Sequence, residues 1–315
     1  MAYTDRDDLN YLGMLYLIGA NQTPFLSMMG GIQGGAKTST SFNFPIAQPW
    51  ALSAASDSVA AAIRSEATSI STTTEKTYTR AQDYNTCQIM KYEYGVSFAK
   101  QSTFGEVGAI TVVGGNPNQP VKDELAFQRT AALRQMAIDV EYCFLNQNIT
   151  AQSAADTVAK TKGLKHAIGT NSVAGSDAAL TKAMIQELVR EMATNGSPFQ
   201  NVVAFANAYQ KQALTDIYAY APESRNVGGV NIKQIETDFG MIGVVFDPFM
   251  PTDEIYFVEM SVCAPVFCPS EGQLIRDVEV ATTTAKKGGF LYTQVGLDFG
   301  PEEYHGSITN LADGT

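Results

Sequence analysis

The sequence predicts an α+β fold that carries a projecting β-hairpin arm, on three observations. Between Ala51 and Thr79, nineteen of twenty-nine residues are Ala, Ser or Thr, so this stretch cannot bury enough apolar surface to offset its own ordering entropy. Sharp alternation follows: Met90, Tyr92, Tyr94, Val96 and Phe98 fall on one face, with Lys91, Glu93, Gly95, Ser97 and Ala99 on the other, the period of a half-buried strand. Beyond residue 120, helices and short strands interleave in the pattern of an α+β domain.

Taken in order, residues 1–36 hold apolar residues at mixed spacing (Leu9, Leu12, Met14, Leu15), then Thr23-Pro24-Phe25-Leu26 and the glycines 30, 31, 34 and 35. They read equally as a short helix with a loop or as an arm docking its apolar residues elsewhere. The Ala/Ser/Thr-rich segment and the strand after it read as a long hairpin leading out and returning. Two antiparallel strands alone are marginal in water, so the arm needs a neighbour, which points to self-association. Residues 121–146 read as one helix, on the order of 40 Å long at about 1.5 Å per residue. Pro120 precedes its first turn, Asp123 and Glu124 suit its dipole, and Leu125, Leu133, Met136, Val140 and Phe144 form its stripe. A further amphipathic helix is expected over Asp177–Asn195, a buried strand at Val202–Phe205 and a helix over Tyr209–Tyr220. Strands follow at Ile242–Phe246 and Ile255–Val258, parted by Asp247-Pro248-Phe249-Met250-Pro251, whose prolines forbid a continuous strand. The tail returns to β: a strand at Gln273–Val280, one with Leu291, Thr293, Val295, Leu297 and Phe299 on a shared face, and a last one over Glu302–Leu311.

The 315 residues suffice for a real core in one or two domains. No apolar run approaches the roughly 18 residues of a membrane span, and the polar, acidic start Met1-Ala2-Tyr3-Thr4-Asp5 is unlike a secretory signal, so synthesis and retention in a cytoplasm are expected. The formal net charge of −11, with no basic run beyond Lys286-Lys287, argues against broad direct binding of nucleic acid, though an acidic shell can still enclose it. Cys87, Cys143, Cys263 and Cys268 form no C-x-x-C pair and lie far from His166 and His305, so no metal or redox cofactor is expected and the thiols read as reduced and mostly buried.

Nothing in the sequence assembles a catalytic motif: there is no G-x-S-x-G elbow, no phosphate-cradling G-x-x-x-x-G-K-[ST] loop and no H-E-x-x-H. Gly228-Gly229 and Gly288-Gly289 read as turns. His166 reads as lying at a strand edge and His305 in the terminal strand, both structural. Asp7-Asp8, Asp253-Glu254 and Glu302-Glu303 read as solvated turn or terminal acids. Trp50, at the root of the arm, is a local anchor or an interface contact. The candidate site is therefore an assembly site: Trp50, with Arg64, Glu66, Glu75, Lys76 and Arg80 along the arm.

Several local sequences sharpen the picture. Thr23-Pro24-Phe25-Leu26-Ser27-Met28, Asn85-Thr86-Cys87-Gln88-Ile89, Asp139-Val140-Glu141-Tyr142-Cys143-Phe144-Leu145-Asn146, Tyr209-Gln210-Lys211-Gln212-Ala213, Thr237-Asp238-Phe239-Gly240, the Asp247–Pro251 turn and His305-Gly306 resemble, in order along nearly the whole chain, segments of tailed-bacteriophage major capsid proteins with the Hong Kong 97-type fold. The resemblance implies an N-terminal arm (1–36), an extended loop with its returning strand (37–104) lying over an adjacent subunit, a peripheral domain with the spine helix (105–165), an axial domain (166–265) and returning strands of the peripheral domain (266–315). It implies homo-pentamers and hexamers in an icosahedral head around double-stranded DNA, with a portal and scaffolding or decoration proteins as partners, a location in the virion capsid, and assembly in the host cytoplasm. The low content of large residues in the arm departs from the family's pattern. No residue matches a self-cleavage or cross-linking motif. The rival readings are a protein nanocompartment of the same fold, a tail component, and an enzyme of unrecognised class.

Overall fold

The computed structural model describes residues 22–31, 35–46, 50, 65–69, 80, 82–98, 124–218, 224–227, 230–280 and 285–314. The expectations for residues 1–21, for most of the arm and for Gly228-Gly229 lie outside the described residues.

The first element, α1 (Pro24–Met28), begins on a proline, whose missing N–H costs nothing in a first turn. It buries Phe25 and Leu26 in the chain's own core. Short strands β1 (Lys37–Thr38) and β2 (Asn43–Pro45) follow, then the single turn α2 (Glu66–Ser69) and strand β3 (Tyr84–Thr86), which pairs antiparallel with β2. The expected alternating strand is β4 (Gln88–Ser97): Met90, Tyr92 and Tyr94 are half-buried and Val96 is buried. Phe98 lies past its end and is 53% exposed.

The long helix is α3 (Glu124–Asn146), and its carboxyl-terminal half carries the packing through Met136, Val140, Phe144 and Leu145. Leu133, expected in the same stripe, is exposed, because α3 and the neighbouring sheet part here and leave an open groove of about 710 Å³ lined by Ala126, Thr130, Leu133, Ala137, Ile275 and Leu291. After α3 the chain loops out and back through an antiparallel bridge between Thr150 and Lys160. A Cβ on Gly163 would sit 2.6 Å from the carbonyl oxygen of Cys143, and this close approach starts α4 (Leu164–Ala167). His166 therefore stands exposed on a helical turn, not at a strand edge, while Leu164 and Ala167, three apart, face inward.

Two sheets organise the rest. In the five-stranded sheet, the long strand β13 (Lys286–Asp298) pairs with β4 on one edge. On the other edge it pairs with β12 (Ile275–Val280) and then β11 (Ala264–Phe267), all antiparallel, and β1 adds to β11 in parallel. Gly288-Gly289 is not a turn but part of β13. A Cβ at either position would collide with the backbone oxygens of Tyr94 and Val278, so the pair lets β4 and β12 close on β13 from both edges.

The seven-stranded sheet runs in the order β5-β14-β10-β6-β9-β8-β7. Its strands are β5 (Ser172–Ala178), β6 (Val202–Ala206), β7 (Ser224–Val227), β8 (Val230–Thr237), β9 (Gly240–Phe246), β10 (Ile255–Glu259) and β14 (Gly306–Leu311). Every residue of β6 and of β10 is buried, as continuous apolar runs require when both faces of a sheet are covered. One face packs on α5 (Lys182–Thr194) and α6 (Ala208–Tyr218) through Ile185, Leu188, Met192 and Leu214. The other places Val203, Phe205, Val245 and Tyr256 in a core shared with α1, α3 and the five-stranded sheet.

Three sequence expectations are corrected here. The helix expected from Asp177 starts at Lys182, because β5 occupies 172–178 and Ser176 and Asp177 take positive φ (53° and 59°) where it ends. The last strand begins at Gly306, after a 3-10 turn over Glu302–Tyr304. It also joins the seven-stranded sheet between β5 and β10, so it does not belong with the returning strands to which the 266–315 boundary assigned it. Thr181 caps α5, its hydroxyl oxygen accepting the Met184 N–H at 3.4 Å. Thr181→Ala should lower unfolding stability by about 0.5–1 kcal/mol, read from denaturant melts.

Candidate assembly surfaces

The segment expected to form the arm has its two ends at Trp50 and Arg80. Trp50 and Arg80 form an isolated antiparallel bridge, so the chain leaves and returns at one point, and Trp50 is 61% exposed there. Glu66 opens α2 and is exposed. Arg64, Glu75 and Lys76 lie outside the described residues. Of the six candidates, the structure thus brings together Trp50 and Arg80.

Five residues after Arg80 sits a residue to which sequence reasoning gave no role. Asn85 in β3 has no exposed surface, and its side-chain amide is fully used. Nδ2 donates to the carbonyls of Leu297 (2.7 Å) and Lys162 (3.1 Å), while Oδ1 accepts the N–H of Lys162 (2.7 Å) and of Thr86 (2.8 Å). One side chain thereby ties the arm's base to β13 and to the segment after α3. Thr161, also fully buried, adds a bond from the Leu297 N–H to its Oγ1 (3.1 Å), and Lys162 pairs with Asp83 at 3.2 Å. The local sequence, Tyr84-Asn85-Thr86-Cys87-Gln88, carries no signal for this hub, because its partners are remote in the chain.

Large apolar side chains stand exposed around this frame: Phe98, Tyr142, Val158, Phe239 and Met241, besides Trp50. Phe239, at the β8–β9 turn, stacks on Phe199 with ring centres 5.9 Å apart. Scattered singly, such residues are ordinary surface. Together with the groove along α3, they are part of the apolar area exposed among the described residues.

Several buried ionisable groups are held by polar partners within the chain. His305, fully buried just before β14, accepts the Glu259 N–H at Nδ1 (3.2 Å) and contacts the Phe299 carbonyl through Nε2 (2.5 Å), an arrangement that places its proton on Nε2. Burial holds its pKa below the usual histidine value. The Glu259 carboxylate, also buried, accepts the N–H groups of Gln200 and Asn201, both at 2.9 Å, and the Ser261 hydroxyl at 2.7 Å. Glu254 is buried, not solvated: it pairs with Lys165 at 2.8 Å and accepts the Tyr256 hydroxyl. Glu302 binds the Gly169 N–H (2.7 Å) and the Thr170 hydroxyl (2.6 Å), tying the turn before β14 to that before β5. All four cysteines are free; burial pushes the Cys87 thiol up to about 12. Among the described residues, no group of three or more His, Cys, Asp or Glu is gathered as a metal site, and no helix is long and apolar enough to cross a membrane.

Comparison with known proteins reads this framework directly. Among solved structures, the capsid of cyanophage A-1(L) superposes with a TM-score of 0.66 over 97% of this chain and 97% of its own, at 14% identity. The holo-SrpI encapsulin complex of Synechococcus elongatus superposes with a TM-score of 0.61 over 100% and 98%, at 9% identity. The capsid of Myoviridae phage XM1 gives 0.53 over 98% and 97%, at 11% identity. At these identities the likeness shows the fold, which is that of Hong Kong 97-like phage capsids. No curated protein sequence matches. The family model for the SU10 major capsid protein matches residues 2–312, and the chain belongs to that family of phage major capsid proteins.

Proposed function

We propose that this subunit acts only by self-assembly, closing into pentamers and hexamers of an icosahedral head that encloses double-stranded DNA without reading its sequence. The observation that carries this reading is the family match over nearly the whole chain. The bridge at Trp50 and Arg80 supports it, because the segment between them starts and ends at one exposed point. Such a loop is placed to lie across a neighbour, each contact in the ring joining two different surfaces. The seven-stranded sheet, now including β14, serves as the axial region around the five- and six-fold axes. The five-stranded sheet with α3 serves as the peripheral region. The net charge of −11 fits a container that does not grip its contents. The role is structural, without catalysis, and a portal with scaffolding or decoration proteins completes the head assembled in the host.

Light scattering on the purified protein, with electron micrographs, tests this. Megadalton icosahedral particles are expected; a monodisperse monomer or dimer under all conditions would overturn it. The encapsulin likeness supports a second reading, a nanocompartment, which predicts particles free of DNA even when isolated from infected cells.

A further inference from the structure

One imidazole closes the connection between the two sheets. Residues 299–305 lead from β13 into β14, and His305, the last of them, has no exposed surface. The ladder between β10 and β14 is in register as far as Phe257 and Gly306. Beyond that pair, the Glu259 N–H of β10 donates to the His305 ring at Nδ1 (3.2 Å). The ring's Nε2 meets the carbonyl of Phe299, the first residue of the connection (2.5 Å). The first contact needs a bare nitrogen and the second an N–H, so the ring is neutral. A proton on Nδ1 would turn one N–H against another.

The backbone beside the ring is held just as closely. Asn171, also without exposed surface, donates from Nδ2 to the carbonyls of Glu303 (2.7 Å) and His305 (2.8 Å), and its own carbonyl accepts the Ser307 N–H (2.9 Å). Charges reach this place from several elements. On β10, Tyr256 donates to Glu254 at the strand's far end, and the Glu259 carboxylate is filled by the N–H groups of Gln200 and Asn201 and the Ser261 hydroxyl. After β10, burial keeps the Cys263 thiol neutral. Within the connection, Glu302 is held by Gly169 and Thr170, while Glu303 and Tyr304 are half-buried. Asp298, ending β13, pairs with Lys37 at 2.6 Å, and Lys162 lies 5.6 Å over the Phe299 ring. β14 carries no titratable side chain. Helix α5 packs on Gly306 through Leu188 and Met192, and it carries exposed Lys182, Glu187 and Arg190 and half-buried Glu191. Burial disfavours a charged His305 and outweighs the nearby Glu259 and Glu302, so the ring stays neutral to a lower pH than usual.

We propose that His305 is an acid-released clasp between the two sheets: the neutral ring holds residues 299–305 on β10, and protonation frees them together with the start of β14. In the freed state the ring meets water and takes its proton near the ordinary histidine value, about 6.5. Between that value and the lowered one, the freed state binds more protons than the closed state. The clasp is at full strength above about pH 6.5 and weakens as pH falls below it, by at most about tenfold per pH unit for the one proton taken up.

The clasp is read on the full-length subunit, so it stands or falls apart from shell formation. Backbone hydrogen exchange in peptides covering 255–259 and 299–307, corrected for the intrinsic pH dependence of exchange, measures the freed fraction. In the wild type that fraction should be level from pH 8 to pH 7 and rise about tenfold between pH 6.5 and pH 5. His166→Gln, which removes the exposed histidine of α4, should keep that rise. His305→Gln, whose amide does not titrate, should lose it. A wild-type fraction level down to pH 5, or a His305→Gln variant with the wild-type slope, overturns the clasp. Should His305→Gln not fold, nitrogen NMR of the ring in His166→Gln decides, since His305 is then the only histidine. A neutral ring protonated on Nε2 at pH 8, turning cationic over the range in which exchange quickens, supports the clasp. Any other ring form at pH 8, or a ring that stays neutral while exchange quickens, overturns it.

Discussion

Deleting Ala51–Thr79 and joining Trp50 to Arg80 through two glycines is expected to give a soluble, folded subunit that forms no shells. The join is geometrically mild, because Trp50 and Arg80 already face each other in an antiparallel bridge, where paired Cα atoms lie about 5 Å apart. Both hydrophobic cores, as described, are built from residues outside the deleted stretch, so the melting transition should stay within about 1 kcal/mol of the parent, a shorter loop changing closure entropy only slightly. Assembly is another matter. Permanent interfaces bury on the order of 2,000 Å² or more per pair, and, if residues 51–79 lie across a neighbour as proposed, their loss recurs at every contact around a ring. Light scattering and electron microscopy should show monomers where the parent shows particles. Normal particles from the deletion would sink the assignment of the arm.

Asn85→Ala should be the most damaging single substitution at the arm's base, lowering unfolding stability by about 3–5 kcal/mol. The side chain is fully buried and makes four hydrogen bonds, to Thr86, to both backbone groups of Lys162 and to the Leu297 carbonyl. Each partner left unpaired away from water costs about 1–3 kcal/mol, and the total is partly offset where water can enter. Asn85→Asp is expected to be nearly as harmful, since a carboxylate offers no donor to the Lys162 and Leu297 carbonyls. Denaturant unfolding of the unassembled subunit measures both. A loss below about 1 kcal/mol for Asn85→Ala would mean that the three segments it joins are held by packing alone.

The fold also shows what the sequence could and could not disclose. Alternation over Met90 to Val96, the helical stripe Met136, Val140 and Phe144, and the proline-bounded turn at Asp247–Pro251 were legible because each records one element's relation to a single apolar layer. The exceptions arise where two layers meet. Leu133 repeats in register with the stripe, yet faces a groove because helix and sheet have diverged there. Gly288-Gly289 has turn composition, but it marks the close approach of two strands remote in sequence. Glu141, Asp247, Glu254 and Glu259 look like surface acids; only the tertiary partners that bond them explain their burial. Of the residues expected at an assembly site, the structure pairs Trp50 with Arg80, while the hub at Asn85 is defined by contacts to positions 77 and 212 residues away.

The position of β14 makes the two sheets depend on one short stretch of chain. It is inserted between β5 and β10, with only residues 299–305 separating it from β13 of the other sheet. A tug on that connection is felt in both sheets at once, so neither can shift its last strand without straining the other. A chain lacking Gly306–Leu311 would leave β5 and β10 with two open strand edges, which invite aggregation.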